Sequence, residues 1–202
     1  MLHAMDTSPG SRKQLTHERI VDAAARVLRD TGFQGVGVAD IMKRVGLTHG
    51  GFYAHFPSRD ALLTEALERA GEDSQARLQR AIAAREQKAG SRFRALVESY
   101  LSEHQLKSAD SGCPVAALCS DLPRQSDEVR AAGAARIESL VAAVAATRPG
   151  EAEETAAVIA AQLVGALQIA RALGDNTKGR RHLAAARGFL LDQFDAPRPR
   201  GR

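Results

Sequence analysis

Several residue types and motifs are scarce in this chain. It has no tryptophan, only two cysteines, and 4% aromatic residues among its 202 residues. Two cysteines cannot form the disulfide framework of a small secreted protein. No uninterrupted run of about 18 apolar residues indicates a membrane span, and no apolar segment near the first methionine indicates a signal peptide. We therefore expect a cytoplasmic protein with no membrane partner.

Motifs for catalysis are also missing from the sequence. No Cys-x-x-Cys, His-x-x-x-His or Glu-x-x-His spacing suggests a metal site. No glycine-rich phosphate loop and no Gly-x-Ser-x-Gly turn occur. We therefore expect a protein that is not an enzyme and that has no catalytic residues, metal or cofactor. Abundant alanine, leucine and arginine favour an all-α fold.

The net charge of +4 is not evenly distributed. Residues 178–202 hold seven Lys/Arg and two Asp/Glu, whereas the other 177 residues hold 21 basic and 22 acidic ones. The excess positive charge lies at the C-terminal end. The net charge is therefore no argument for nucleic-acid binding elsewhere in the chain.

Residues 38–56 have the pattern of two short helices around a tight turn. Apolar residues at positions 38, 41, 42 and 45 share one helical face. Gly46 tolerates the positive φ of a sharp turn, and Thr48 is a suitable N-cap for the next helix. This pattern predicts a helix-turn-helix, whose second helix enters the DNA major groove. A loop in place of that second helix is the alternative, since Gly50 and Gly51 are poor helix formers.

With these residues in place, the segment 16–67 resembles the DNA-binding domain of the TetR/AcrR family of bacterial transcription regulators. The matching elements are Thr31-Gly32-Phe33, Val38-x-x-Ile41, Val45-Gly46-Leu47-Thr48 and Gly51-Phe52-Tyr53-x-His55-Phe56-x-Ser58-Arg59-x-x-Leu62-Leu63. The chain departs from the family at Gly37, where Ser or Thr usually caps the helix, and at Arg59, where many members have Lys.

The resemblance implies a set of DNA-binding residues. Thr48, Tyr53 and Arg59 are expected to contact phosphates. His49 and His55 are expected to lie at or near the groove. Gly50 and Gly51 would permit close approach of the backbone to DNA. The alternatives are packing for Tyr53, a helix-surface position for His55 and a solvated charge for Arg59. We expect Phe52 and Phe56 to belong to the core.

The sequence predicts four regions and a series of helices. The regions are a disordered arm (1–13), the helix-turn-helix domain (14–60), a helical effector-binding and dimerisation domain (61–195) and a disordered tail (196–202). The first helix is expected to begin at Thr16, and a long connecting helix to begin after Ser58 and end at Gly90. Further helices are expected over 92–106, from Pro114, and over 127–147, 151–173 and 177–194.

The resemblance also implies a homodimer, in which the last two helices of each subunit form a four-helix bundle. Between the connecting helix and those two, the family encloses a small-molecule pocket. The chain's apolar composition there favours a mostly apolar effector. Simple core packing is the alternative for these residues. Candidate ligand-binding residues are Phe93, Leu96, Tyr100, His104, Cys113, Leu118, Leu122 and Gln162.

The leading function is thus a repressor that leaves a palindromic double-stranded DNA operator when it binds an effector. The alternative is a redox- or electrophile-sensing regulator using Cys113. This residue precedes Pro114 at a predicted helix N-terminus, where the helix dipole lowers a thiol pKa. A buried structural thiol is the other interpretation. A helical-bundle enzyme and a purely structural dimer are the remaining function classes.

Overall fold

The computed structural model describes residues 9–195, and all regular secondary structure in that part of the chain is helical. The all-α fold predicted from the sequence is confirmed. The α-helices are α1 (Pro9–Thr31), α2 (Val38–Arg44), α3 (Arg59–Ala89), α4 (Arg92–Tyr100), α5 (Glu103–Lys107), α6 (Pro114–Leu118), α7 (Asp127–Ala145), α8 (Glu153–Leu173) and α9 (Thr177–Phe194). Three 3₁₀ helices are η1 (Phe33–Gly35), η2 (His49–Ala54) and η3 (Leu122–Arg124).

Capping side chains explain where several helices begin. The Ser58 hydroxyl accepts a hydrogen bond from the Ala61 N–H at 3.0 Å, so α3 starts where the sequence predicts. Gly90 ends this helix in the left-handed region, with φ of +80°. Asn176 accepts from two backbone N–H groups at the start of α9. Gly37 precedes α2 and caps it without a side-chain hydrogen bond, as its lack of a side chain requires.

Two of the predicted helix boundaries are wrong. Helix α1 begins at Pro9, and the Thr16 hydroxyl donates to the Arg12 carbonyl inside the helix instead of capping its end. Residues 9–13 are therefore helical, whereas the predicted remainder of the arm and the tail at 196–202 lie outside the described residues. The expected helix over 92–106 is interrupted, because the Ser102 hydroxyl accepts from Gln105 N–H and starts the separate helix α5.

The helices enclose two clusters of buried apolar residues. The N-terminal cluster lies between α1, α2, η2 and the first half of α3, with Ile20, Ile41 and Phe52 at its centre. The C-terminal cluster lies between the second half of α3 and helices α4, α8 and α9, with Leu96 and Leu163 fully buried in it. Helix α3 takes part in both, so a shift of this helix affects both clusters.

The segment after α5 joins the two clusters more closely than the sequence suggests. Leu118 of α6, Leu122 of η3 and Val129 of α7 are buried in the N-terminal cluster. The buried Arg29 of α1 donates to the Asp110 carbonyl at 2.5 Å, which fixes the loop before α6 against the N-terminal half. The domain boundary predicted at residue 60 therefore separates residues that pack together in the N-terminal cluster.

Helix α8 is the most apolar of the long helices in the described chain. Its mean hydropathy of 1.6 over an 18-residue window is high enough for a membrane span by length and composition alone, although the sequence suggested none. No membrane is required to explain it, since Ile159, Leu163 and Leu167 are fully buried in the C-terminal cluster. Its other face carries exposed apolar residues, among them Val158 and Ile169.

Candidate nucleic-acid interface and effector cavity

The turn between α2 and η2 is held by backbone geometry and one arginine. Gly46 has a φ of +75°, as its place in a tight turn predicts. The Leu47 N–H donates to the Met42 carbonyl at 2.9 Å, and Leu47 packs on the N-terminal cluster. The Arg19 guanidinium, from α1, donates to the Val45 carbonyl at 2.9 Å. These bonds fix the position of η2 relative to α2.

The second helix of the motif is a six-residue 3₁₀ helix in this structure. Thr48 stands at its N-cap position, but its side chain makes no capping hydrogen bond. The Gly51 N–H donates to the Thr48 carbonyl at 3.1 Å, which is the i to i+3 pattern of a 3₁₀ turn. The glycine pair favours this short form, because glycine is a poor former of longer α-helices. A side chain at Gly50 would meet no atom within 4 Å, so the surface there is open.

One face of η2 is exposed and the other is buried. Phe52 and Phe56 are each 1% exposed in the N-terminal cluster, as predicted, with ring centroids 5.4 Å apart. Tyr53, between them in sequence, is 69% exposed. Its ring lies edge-on to Phe52 and near the exposed His49. The exposed surface formed by Thr48, His49, Gly50 and Tyr53 is called the η2 face below.

Two basic residues extend this surface and were not among the predicted DNA-binding residues. Lys43 and Arg44 form the last turn of α2, and both are exposed. They lie opposite the apolar stripe of α2, which is the sequence signal that identifies them. Cationic side chains beside a helix-turn-helix are typical contacts for DNA phosphates.

His55 occupies the inner edge of the η2 face. It is half-buried, and its Nδ1 atom has no hydrogen-bond partner. Burial lowers the pKa of His55, and the nearby His17 and Lys13 lower it further. His17 is itself bound to Glu65 at 2.6 Å and stacks on Phe56. The lowered pKa favours the neutral form of the His55 ring in the protein alone.

Arg59 has a structural function in the described chain. Its Nε donates to the Val36 carbonyl at 3.1 Å, and its Nη2 donates to the Phe33 carbonyl. Phe33 is the first residue of η1 and Val36 follows its last residue, so the guanidinium connects α3 to the segment before α2. A lysine lacks the planar fork that makes this two-pronged contact. The phosphate contact expected for Arg59 stays a prediction.

A small cavity of about 40 Å³ lies between α3, α4, α6 and α7. Tyr100 and Cys113, two of the predicted ligand-binding residues, line it. Helices α3 and α7 provide most of the wall, which sequence reasoning missed because their long polar faces gave no sign of a cavity. The other lining residues are Gly71, Ser74, Gln75, Leu78, Pro114, Val115, Arg136, Ser139, Leu140 and Ala143.

The other six predicted ligand-binding residues lie away from this cavity. His104 is exposed on α5. Leu118 and Leu122 belong to the N-terminal cluster, because α6 packs against α1 and α3 and η3 packs against α7. Phe93 lies beneath the Arg148 guanidinium at 4.7 Å, Leu96 is fully buried in the C-terminal cluster, and Gln162 lines a groove between α8 and α9.

Cys113 does not have the environment expected for a reactive thiol. It precedes α6 as predicted, but it is 5% exposed and burial raises the pKa of its thiol. The expectation of a lowered pKa is wrong because desolvation outweighs the hydrogen bonds from the α6 N-terminus. Cys113 and Cys119 are both free, and Cys119 accepts a hydrogen bond from Gln168 at 3.3 Å.

Helices α8 and α9 present an apolar surface with no partner inside the described subunit. Val158, Ile169 and Phe189 are each at least half exposed. Between the two helices runs a groove lined mainly by small or apolar residues, including Gly165. A Cβ on Gly165 would meet no atom within 4 Å. We call this surface the α8/α9 face.

Comparisons with known proteins agree with this geometry. The family model of bacterial regulatory proteins, tetR family, matches residues 20–66. An uncharacterized HTH-type transcriptional regulator of Mycobacterium tuberculosis strain H37Rv is 31% identical over 174 residues, which is 79% of this chain and 86% of that protein.

Two solved structures share the fold across most of the chain. The reduced form of Escherichia coli NemR has a TM-score of 0.70 and 22% identity, over 88% of this chain and 95% of that one. The multidrug binding protein EbrR complexed with imidazole has a TM-score of 0.66 and 23% identity, over 92% and 98%. The helix-turn-helix, the fold and the full-length relative together show that this chain belongs to the TetR family and is a transcriptional regulator with an N-terminal DNA-binding domain.

Proposed function

We propose that the protein is a cytoplasmic, homodimeric repressor that binds a palindromic double-stranded DNA operator and is released by a small, mostly apolar effector. The η2 face carries the DNA-binding part of this proposal. It places Thr48, His49 and Tyr53 on an exposed surface, and the turn beneath it is fixed by Arg19 and Gly46. A fixed surface of this kind can dock in the major groove with little ordering cost.

The α8/α9 face supports the dimer. Large apolar side chains that stay half exposed on two adjacent helices are typical of a subunit interface. A two-fold pair of subunits would place two η2 faces about 34–36 Å apart, which matches successive major grooves on one side of the duplex. Apolar packing of four helices would also bury the part of α8 that gives it membrane-like hydropathy.

The cavity beneath α3 and α7 supports an effector. Helix α3 carries Arg59 at one end and the cavity residues Gly71 and Leu78 further along. The cavity holds only a few water molecules, so a larger ligand must separate the surrounding helices. A ligand that prefers the expanded form shifts the population toward it, and α3 carries that shift to the DNA-binding half. EbrR, which has a similar fold, is a multidrug binding protein. This similarity supports the proposal that the present protein also binds a small molecule.

DNA titrations test the operator part of the proposal. The duplex would carry the inverted repeat found beside the protein's own gene, and fluorescence anisotropy would give the dissociation constant at several salt concentrations. Tyr53→Phe removes one hydroxyl, and Tyr53→Ala removes the whole side chain. Because the phenol is neutral and releases no counterion, we expect each variant to weaken binding while the salt slope stays nearly unchanged.

Matched controls separate recognition from unspecific attraction. A duplex with the repeat scrambled should bind the wild-type protein at least about a thousandfold less tightly. Equal affinity for both duplexes would contradict the proposed operator recognition. Unchanged affinity in both Tyr53 variants would remove this residue from the interface while leaving the rest of the η2 face to be tested.

A further inference from the structure

The wall of the cavity between α3 and α7 is apolar on most of its surface. Leu78 of α3, Leu140 of α7 and Val115 of α6 contribute aliphatic side chains. A ligand enclosed here would therefore be recognised largely through an apolar body. The polar groups in the same wall are few, so each of them restricts the chemistry of the ligand.

Arg136 is the most unusual of these polar groups. It reaches from α7 across α3, and its guanidinium and Cδ lie directly over Gly71. Any Cβ on Gly71 would collide with that Cδ, so the glycine makes room for the arginine. The Arg136 Nε is buried and donates to no acceptor in the described part of the chain. A buried guanidinium N–H without an acceptor costs free energy that a bound acceptor would recover.

A second unsatisfied group lines the same cavity. Tyr100 is 2% exposed, and its hydroxyl finds no hydrogen-bond partner of ordinary geometry. It lies beside the thiol of Cys113, which is a weak hydrogen-bond acceptor. The cavity wall thus presents a guanidinium N–H without an acceptor and a phenolic O–H beside only a weak thiol acceptor, and both can donate to an oxygen of a ligand.

The charges around the cavity are positive and uncompensated. Within residues 12–195, Arg136 has no carboxylate at ion-pair distance. Arg171 lies close enough to Tyr100 and Cys113 to interact with both, and its side chain donates only to the carbonyl of Gln105. Two arginines near an apolar cavity, neither of them paired, favour an anion over a neutral or cationic ligand.

We propose that this cavity binds an amphipathic monocarboxylate, with its apolar body among Leu78, Val115 and Leu140 and its carboxylate held by Arg136 and Tyr100. This inference rests on the proposed function, in which a ligand in the cavity releases the operator. It adds that the mostly apolar effector carries an acidic head group. Arg136 is the residue that determines this specificity.

Calorimetric titration without DNA tests the head-group preference. The probes are decanoate, decan-1-ol and decylamine, which share one chain length and differ in the head group, each used below its micelle concentration at neutral pH. We expect decanoate to bind the wild-type protein about tenfold or more tightly than decan-1-ol, and decylamine to bind most weakly. Equal affinities for acid and alcohol, or no binding by decanoate, would overturn the proposal.

Variants of Arg136 show whether this residue causes the preference. In Arg136→Met the acid and alcohol should bind equally, whereas Arg136→Lys should keep part of the preference because it keeps the charge. Arg130→Met is the matched control, since Arg130 lies on the same helix but is exposed and paired with Asp127. Unfolding midpoints of all three variants would show that they fold. A preference that survives in Arg136→Met would contradict the assignment.

The two proposals can fail independently in this design. Decanoate that binds through Arg136 but leaves operator affinity unchanged would preserve the carboxylate site and refute its role in release. Decan-1-ol that binds as well as decanoate and releases the operator would preserve an apolar effector and refute the acidic head group.

Discussion

The two halves of the molecule bury apolar residues in different ways. Four of the eight aromatic residues fall within positions 33–56, and three of them are almost fully buried beneath the η2 face. The C-terminal half relies on alanine, leucine and valine, encloses a cavity and leaves large apolar side chains exposed on α8 and α9. The N-terminal half is thus a tightly packed support, whereas the C-terminal half contains the small cavity and the exposed apolar surface on which the proposed effector and the proposed dimer depend.

The largest expected effect comes from removing one of the aromatic side chains that support η2. Phe56→Ala should lower the free energy of unfolding by about 3–5 kcal/mol, because it leaves a cavity beneath the η2 face. Tyr53→Ala, three residues away but 69% exposed, should change it by less than about 0.5 kcal/mol. Urea denaturation of the two variants measures both values. A similar decrease in the free energy of unfolding in both variants would show that η2 is not divided into a buried and an exposed face.

The next effect tests the exposed apolar surface of the C-terminal half. Gly165→Glu should turn the proposed dimer into a monomer at micromolar concentration, because a carboxylate would be buried without a partner at the proposed helix crossing. Light scattering gives the mass directly. Ala184→Glu on α9 is the control, since this exposed residue does not line the groove. A wild-type protein that is monomeric and still binds the operator would contradict the assignment of the α8/α9 face.

A smaller effect is expected where Arg59 connects α3 to the segment before α2. Arg59→Met should lower the free energy of unfolding by about 1.5–3 kcal/mol through loss of the hydrogen bonds to Val36 and Phe33. Arg59→Lys keeps the charge but not the two-pronged geometry. If Arg59→Lys recovers operator affinity without recovering stability, the residue has both a structural and a phosphate-binding role. Recovery of both together would show that its effect on DNA is indirect.

The smallest effect concerns the buried thiol. Burial raises the pKa of Cys113, so the folded protein favours its neutral form. The contribution of the Cys113 thiol to the free energy of unfolding is fully present below the ordinary thiol pKa of about 8.5. This contribution is lost as the pH rises through the higher pKa of the folded state. Denaturation of the wild-type protein and Cys113→Ala across this range should show a steeper loss for the wild type.

A labelling experiment decides between a structural thiol and a sensor. Each single variant leaves one thiol to label: Cys119→Ser leaves Cys113, and Cys113→Ser leaves Cys119. We expect Cys113 in the first variant to react with a thiol reagent more slowly than Cys119 in the second. Fast modification of Cys113 that also releases the operator would establish the redox-sensing alternative.

In the DNA-binding half, the local sequence was sufficient to predict the turn before η2, the exposed face of η2 and the start of α3. A glycine turn, an alternation of buried phenylalanine with exposed tyrosine and a serine cap depend on interactions within a few residues, so Gly46, Tyr53 and Ser58 lie where the pattern predicts. The sequence did not show that Arg59 binds carbonyls more than 20 residues away. That contact depends on how the chain folds back.

The sequence by itself determined the all-α fold, the helix-turn-helix and most helix ends, because helix formation and capping are short-range effects. Only the tertiary structure decided which residues line the cavity. Apolar residues at helical spacing are alike in sequence, so the direction that α6 faces placed Leu118 toward the DNA-binding half and Cys113 toward the cavity. The position of Arg136 over Gly71 likewise depends on the crossing of α3 and α7, and no local pattern encodes where two distant helices cross.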